Sequence, residues 1–290
     1  MKQNIKTKEK SVAKPAEKEK PIEEKNIAIV TGSSLLTEDD DLTQEMQKDL
    51  RKGTSQRPED NLVPLIYILQ SNSPQVNKRN PDAYIEGAEA GDIWLRHAQN
   101  PIIKGDEGIT FIPCYWFKDW VEWIPRDDGG GFVGRHKELP PEAVVEMDTK
   151  SRRAVNKMPN GNDLVETANH AGFVFTRDGR ALPYLIPMKS TGLTISRQWM
   201  SLFNQKLNDE GEPYPSFSHK YHLTTKHRKN KEGEWFVFDV KDIPNGVLRN
   251  KTLYTMCQAL EKAFESGQKQ AEEEVHVGQT GTVNEPKDQM

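Results

Sequence analysis

The chain has 290 residues, of which 34% are hydrophobic and 29% charged. That balance is too polar for one core of this length and predicts a single folded domain with long solvated ends. A net charge of −4 excludes a uniformly basic nucleic-acid binder, though not a local basic groove, and two cysteines without CxxC spacing exclude a disulfide framework or a cysteine-rich zinc site.

Residues 1–57 read as a disordered tail. Met1 to Lys25 mixes lysine with glutamate and holds no apolar segment of the kind a secretory signal needs. Asn26 to Ser34 (NIAIVTGSS) is a short apolar island without the GxGxxG spacing of a dinucleotide fold. Leu42 to Lys52 has the pattern of a short helix. No apolar run of about 18 residues occurs, so no membrane span is expected, and a reducing cytoplasm is the expected setting.

The folded region, 58–243, opens with the apolar run Leu62 to Leu69 and a short strand at Gly91 to Leu95. Gly108 to Arg126 (GITFIPCYWFKDWVEWIPR) is the richest aromatic stretch, and its β-branched and aromatic residues predict a strand. Pro113 implies an edge or a bulge there. Simple alternation groups Phe111, Tyr115, Phe117, Val121 and Trp123 on one face, and Ile112, Cys114, Trp116, Lys118, Trp120 and Ile124 on the other. Neither face is polar, so both need a cover: one is protein core, and flat aromatic ligands such as bases suit the other.

Gly129 to Gly131 mark a loop, Phe132 to His136 a returning strand, and Pro140 to Val155 a helix with Pro141 in its first turn. Lys150, Arg152, Arg153 and Lys157 form a basic cluster. Leu164 to Thr176 and Ala181 to Met188 predict a hairpin. A helix follows Ser190 or Thr191, with Trp199 on its core side. Tyr221 to Arg228 and Glu234 to Val240 predict a second hairpin whose Lys220, Lys226, Arg228, Lys229 and Lys231 are uninterrupted by any acid. Alternation places His222, Thr224, Lys226 and Arg228 on one face. A C-terminal helix over 244–266 presents Leu253, Met256, Leu260 and Phe264, and 267–290 reads as a disordered polar tail.

The expected fold is therefore mainly β with inserted helices, in the order of an OB-type Greek-key barrel with disordered termini. Several segments carry a resemblance: NLVPLIYILQSNSPQV (61–76), YIEGAEAGDIW (84–94), EGITFIPCYWFKDWVEWIPR (107–126) with GGGFVGRH after it, and MKSTGLTISRQWMSLF (188–203). In these, over roughly 58–240, the chain resembles the OB-fold single-stranded-DNA-binding proteins of bacteriophages. Those proteins coat exposed strands during phage DNA replication and recombination. The resemblance implies single-stranded DNA as partner, further phage replication or recombination proteins, a possible homo-oligomer, and the host cytoplasm as location. One departure is plain: the best-known members end in a densely acidic tail, whereas Glu272 to Glu274 form the only acidic cluster of this C-terminus.

The binding residues expected on this reading are Trp116, Trp120 and Trp123 for base stacking. Lys118, Arg126, Lys189, Arg197, Lys220, Lys226 and Arg228 are the expected phosphate contacts. No cofactor, metal or catalytic residue is expected. Two other classes stay in view. A protein–protein module or host-takeover factor would use exposed aromatics as anchors. A metal-dependent nuclease would use Asp239 and Lys241 with Asp163 or Glu166. His219, His222 and His227 do not share one strand face, and Cys114 lacks a visible histidine partner. The decisive feature is whether the tryptophans and the 220–231 hairpin share one groove.

Overall fold

A computed structural model describes residues 62–148, 154–176, 179–231, 233–267 and 269–272. In chain order the strands are β1 (Leu62–Val63), β2 (Ile66–Ile68), β3 (Ile93–Leu95), β4 (Ile102–Ile103), β5 (Ile109–Ile124), β6 (Gly131–His136), β7 (Val144–Met147), β8 (Ala154–Lys157), β9 (Asp163–Phe175), β10 (Ala181–Lys189), β11 (His219–Asn230), β12 (Gly233–Val247) and β13 (Gln270–Ala271). Helix α1 (Gly192–Asn204) lies between β10 and β11, and α2 (Lys251–Glu265) follows β12. The protein is mainly β. The island at 26–34, the helix at 42–52, the tail boundary at 57, the cations Lys150, Arg152 and Arg153, and the tail beyond 272 lie outside the described residues.

Strands β5 and β9 pair antiparallel along almost their whole length, from Thr110↔Phe175 to Trp123↔Asp163. The register breaks once, between Pro113 and Tyr115. Proline has no N–H for the ladder, so a bulge is where a long strand tolerates it. Gly172 faces Pro113, and a Cβ there would sit 2.0 Å from the Ile112 carbonyl oxygen. Glycine is what lets the two backbones close on each other. The bulge also corrects the alternation: Phe111 falls in line with Trp116, while Ile112 falls in line with Tyr115 and Phe117. Each set joins a different core cluster.

Four shorter neighbours extend the pair. The first residues of β5 carry β11, and its last carry β6. β10 lies along β9 from Phe175 to Thr167, and β8 with β7 continues from its other end. The strand order of the large sheet is thus β12–β11–β5–β9–β8–β7, with β10 also on β9 and β6 also on β5, which gives the run β10–β9–β5–β11–β12; α1 is inserted between β10 and β11 in sequence. Among the described residues the ladder does not close into a barrel. The small sheet β2–β3–β4 stands between β10 and β12. Leu65 bridges to Leu185 on one side. On the other, the Gln70 side-chain amide donates to the Phe236 carbonyl (3.0 Å) and accepts from the Phe236 N–H (2.9 Å), so one side chain stands in for a strand pair.

The two sheet faces have separate cores. Inside the curve, Ile66, Ile93, Phe111, Val174, Ile186, Trp199, Phe203, Tyr221 and Leu223 pack around α1. On the outer face, α2 covers Ile112, Cys114, Ala171, Phe173 and Leu185 with Cys257, Leu260 and Phe264. Leu62 to Leu69 reads apolar without a break because β2 is a wall strand, sending Ile66 and Ile68 inward and Leu65 and Tyr67 outward. Protein therefore covers both faces of the first half of β5, with Tyr115 and Phe117 against Phe264 at 6.1 and 5.8 Å between ring centroids.

Three expectations change. Pro140 to Val155 is not a helix: β7 and β8 form a hairpin arm there, and its Val144, Val145 and Val155 favour extended backbone. On α2, Cys257 rather than Met256 faces the core, since 253, 257, 260 and 264 keep helical spacing while Met256 stays exposed. Residues 270–271, within the stretch read as polar tail, form β13 and pair parallel with β1. Arg96 and His97 hold Glu272 just beyond it, at 2.6 and 2.7 Å. Both expected hairpins, 164–188 and 221–240, are present, and Trp199 is fully buried.

Candidate nucleic-acid interface

The three tryptophans of β5 have three different environments. Trp116 is half-buried against the inner core and donates its indole N–H to Ser196 Oγ (3.2 Å). Trp123 is 2% exposed; Phe132 meets its ring edge-on and the Lys189 ammonium sits 4.5 Å above its centroid. That packing removes Trp123 as a stacking surface. Trp120, half-buried, lines a groove of about 740 Å³.

This groove runs from Trp120, Trp123 and the ends of β7 and β8, past Lys189 and the start of α1, to β2 and Phe236–Phe238 of β12. Among the described residues its charged lining is Asp127, Glu146, Asp148, Asp163 and Glu166 against Lys157 and Lys189, five acids to two bases. Lys157 is already shared by Glu146 and Asp163, at 4.0 and 3.5 Å. Lys118 is bound to Glu166 and Lys189 lies over Trp123, so the cations expected near the tryptophans are engaged. An acidic rim disfavours phosphates. On β5 beside Trp123, burial pushes the Glu122 carboxyl up, but bonds from Asn162 and His136 outweigh that and hold it below the usual carboxylate range.

The remaining expected cations scatter. Arg126 opens the turn Arg126–Asp128, and its side chain lies outside the described residues. Arg197 is exposed on α1. Lys220 is half-buried 6.0 Å from the Phe175 ring, in a separate cavity beside Asn245 to Asn250. Lys226 and Arg228 are exposed on β11.

The β11–β12 hairpin is where cations and an aromatic ring do meet. Its register runs unbroken from Tyr221↔Asp242 to Asn230↔Gly233. His222, Thr224, Lys226 and Arg228 therefore share a face, as alternation predicts, and stand about 6.6 Å apart from one to the next. Directly across from Arg228 on that face is Trp235, and across from Lys226 is Val237. Cross-strand neighbours hold their Cβ atoms about 5 Å apart and diagonal ones about 7–8 Å, so Trp235 stands opposite Arg228 with Lys226 diagonal to it. Its ring is half-buried, and its N–H is shut from solvent without a partner among the described residues. Glu234 answers His227 and Lys229 at 3.4 and 3.7 Å, whereas Lys226, Arg228 and Lys231 have no acidic partner among the described residues. Trp235 is absent from the expected site, although its place across from Arg228 follows from the turn once the hairpin is folded back on itself.

Among the described residues, the nuclease, histidine and cysteine arrangements weighed from sequence do not come together. Among the described residues no group of three or more His, Cys, Asp or Glu side chains could hold a metal ion. Asp239 pairs with Lys241 on β12, while Asp163 pairs with Lys157 near the far end of β5. Burial pushes the Cys114 thiol well up, and its neighbour is the buried Cys257, not a histidine. His170 and Ser196 do meet, at 2.8 Å, but both are sealed in the core. No helix among the described residues is long and apolar enough to cross a membrane.

A family model described as Pam3 phage gp34-like protein matches residues 32–270, a span that contains the groove, the hairpin and both helices. No curated protein matches the chain, and neither does any solved structure.

Proposed function

Because the chain belongs to the Pam3 phage gp34-like family, a bacteriophage family, we propose that it is a non-catalytic single-stranded-DNA-binding protein of phage replication or recombination, acting in the host cytoplasm. The observation that carries the reading is the outer face of the β11–β12 hairpin, where Trp235 stands across from Arg228 and beside Lys226, both without acidic partners among the described residues. A base laid on the indole has its flanking phosphates within reach of both cations. Stacking of this kind contributes about 1–3 kcal/mol per base and does not discriminate between bases.

Topology supports the same reading. Five strands ordered β10–β9–β5–β11–β12, with a helix between the third and fourth in sequence, follow the course of an OB-type Greek key. In that fold the loop joining the fourth and fifth strands borders the oligonucleotide. Here that loop is the basic hairpin tip. We put the contact surface on the hairpin rather than on the β5 tryptophans, since acids predominate among the described residues that line the groove beside Trp120.

Fluorescence anisotropy of a labelled oligothymidine strand tests the assignment. Trp235→Ala and the pair Lys226→Ala/Arg228→Ala are expected to weaken binding at least fivefold each, with thermal unfolding unchanged in the pair. Trp123→Phe is expected to leave affinity within twofold of the parent. Unaltered binding in both hairpin variants, with the fold intact, would refute the reading.

A further inference from the structure

We propose that β7 is a self-pairing edge through which two copies of this chain associate, antiparallel and centred on Val145. β7 ends the strand order of the large sheet, and among the described residues nothing pairs with its outer side. All four of its residues are exposed: Val144 is 43%, Val145 68% and Met147 64% accessible, with Glu146 the only charge. Free sheet edges are usually guarded by lysine, proline, a bulge or a covering loop. This strand carries no lysine, proline or bulge, only Glu146 as a charge, and its register with β8 is regular from Val144↔Lys157 to Met147↔Ala154.

The sequence of the edge selects its partner. A second copy running antiparallel about Val145 brings Val145 against its own counterpart, Met147 against the partner's Ala143 and Glu146 against the partner's Val144. Within Ala143 to Met147 no like charges then lie opposite each other, although just outside that span Glu142 comes up to the partner's Asp148. Centring on Glu146 instead would set two carboxylates face to face, which is destabilising. In the favoured register the partner's Glu146 lies across Val144, whose own neighbour on β8 is Lys157, a lysine already shared by the chain's own Glu146 and Asp163. A four-residue edge is far below the roughly 1,200 Å² that a stable interface buries, so the association is weak and depends on concentration. The proposal does not depend on DNA binding.

The test uses the full chain without nucleic acid. Sedimentation equilibrium over rising concentration is expected to show a monomer–dimer equilibrium, weakened at least tenfold in Val145→Lys. Register is read by cysteine scanning. Val145→Cys is expected to give a disulfide-linked dimer when diamide takes up the two protons and two electrons of the thiol pair. Val144→Cys and Met147→Cys, which face other residue types, are expected to cross-link far less. The native Cys114 and Cys257 are 1% and 0% exposed and stay silent. A monomer at every concentration would overturn the proposal, including the case in which slow amide exchange shows another segment of the same chain covering β7. So would a dimer indifferent to Val145→Lys, or equal cross-linking at all three positions.

Discussion

His170 is the one fully buried histidine of the inner core, stacked on Trp199 at 4.4 Å between centroids and bonded through Nε2 to Ser196 Oγ. Its Nδ1 has no partner among the described residues, and no carboxylate stands near to balance an imidazolium. Burial lowers its pKa from 6.5 to about 3. In the unfolded chain the ring takes up a proton as pH falls through about 6.5, whereas the native ring refuses it until about pH 3. Stability is therefore fully present above pH 6.5 and declines below it, with a limiting slope of about 1.4 kcal/mol per pH unit from this group. Thermal midpoints measured from pH 7.5 to 4.5 should fall more steeply in the parent than in His170→Gln, which keeps an amide for Ser196 and cannot titrate. Equal slopes would exclude His170 as the source.

Among the elements, the β5–β9 pair decides the register of everything else, and the contact between Gly172 and the Pro113 bulge decides the register of that pair. A methyl group at 172 meets both the Ile112 carbonyl at 2.0 Å and the Phe111 ring at 2.7 Å. Neither can give way, since one is backbone and the other is enclosed in the core. Gly172→Ala should cost about 3 kcal/mol or more, at the upper end of what overpacking does, and a lower urea midpoint would register it. The same bulge marks the limit of reading β5 from sequence. Pro113 announces an interruption, and the apolar runs announce strands covered on both sides. Which residue is skipped is settled by Gly172, far along the chain, so the row of Phe111, Tyr115 and Phe117 cannot be kept from sequence alone. The β7–β8 arm misleads for a different reason: Pro141 and the spacing after it suit a helix, but exposed valines paired across a hairpin outweigh weak local propensity. The hairpin face of β11 was legible because its register is uninterrupted. Trp235 is the residue on that face that needed the fold of the turn to be found.

For the whole molecule, the question the proposal raises is how a chain with a net charge of −4 would hold a polyanion. Among the described residues the charges are segregated: the groove beside Trp120 is lined by five acids and two bases, while the hairpin presents Lys226, Arg228 and Lys231 without acidic partners. At moderate salt the screening length is about 8–10 Å, so the hairpin acts as a local cation and the distant acids contribute little. On single strands each neutralised phosphate adds about −0.7 to the slope of log affinity against log salt. Three such cations on a single strand would give a slope of about −2, or roughly an 18-fold loss between 50 and 200 mM salt. Lys226→Ala/Arg228→Ala leaves one of them and should reduce that loss to about threefold. Trp235→Ala should shift the whole line down without changing its slope, because stacking releases no counterions. Titrations of oligothymidine at four salt concentrations separate the two terms. A double variant that kept the parental slope would move the phosphate contacts off the hairpin, even if its affinity fell.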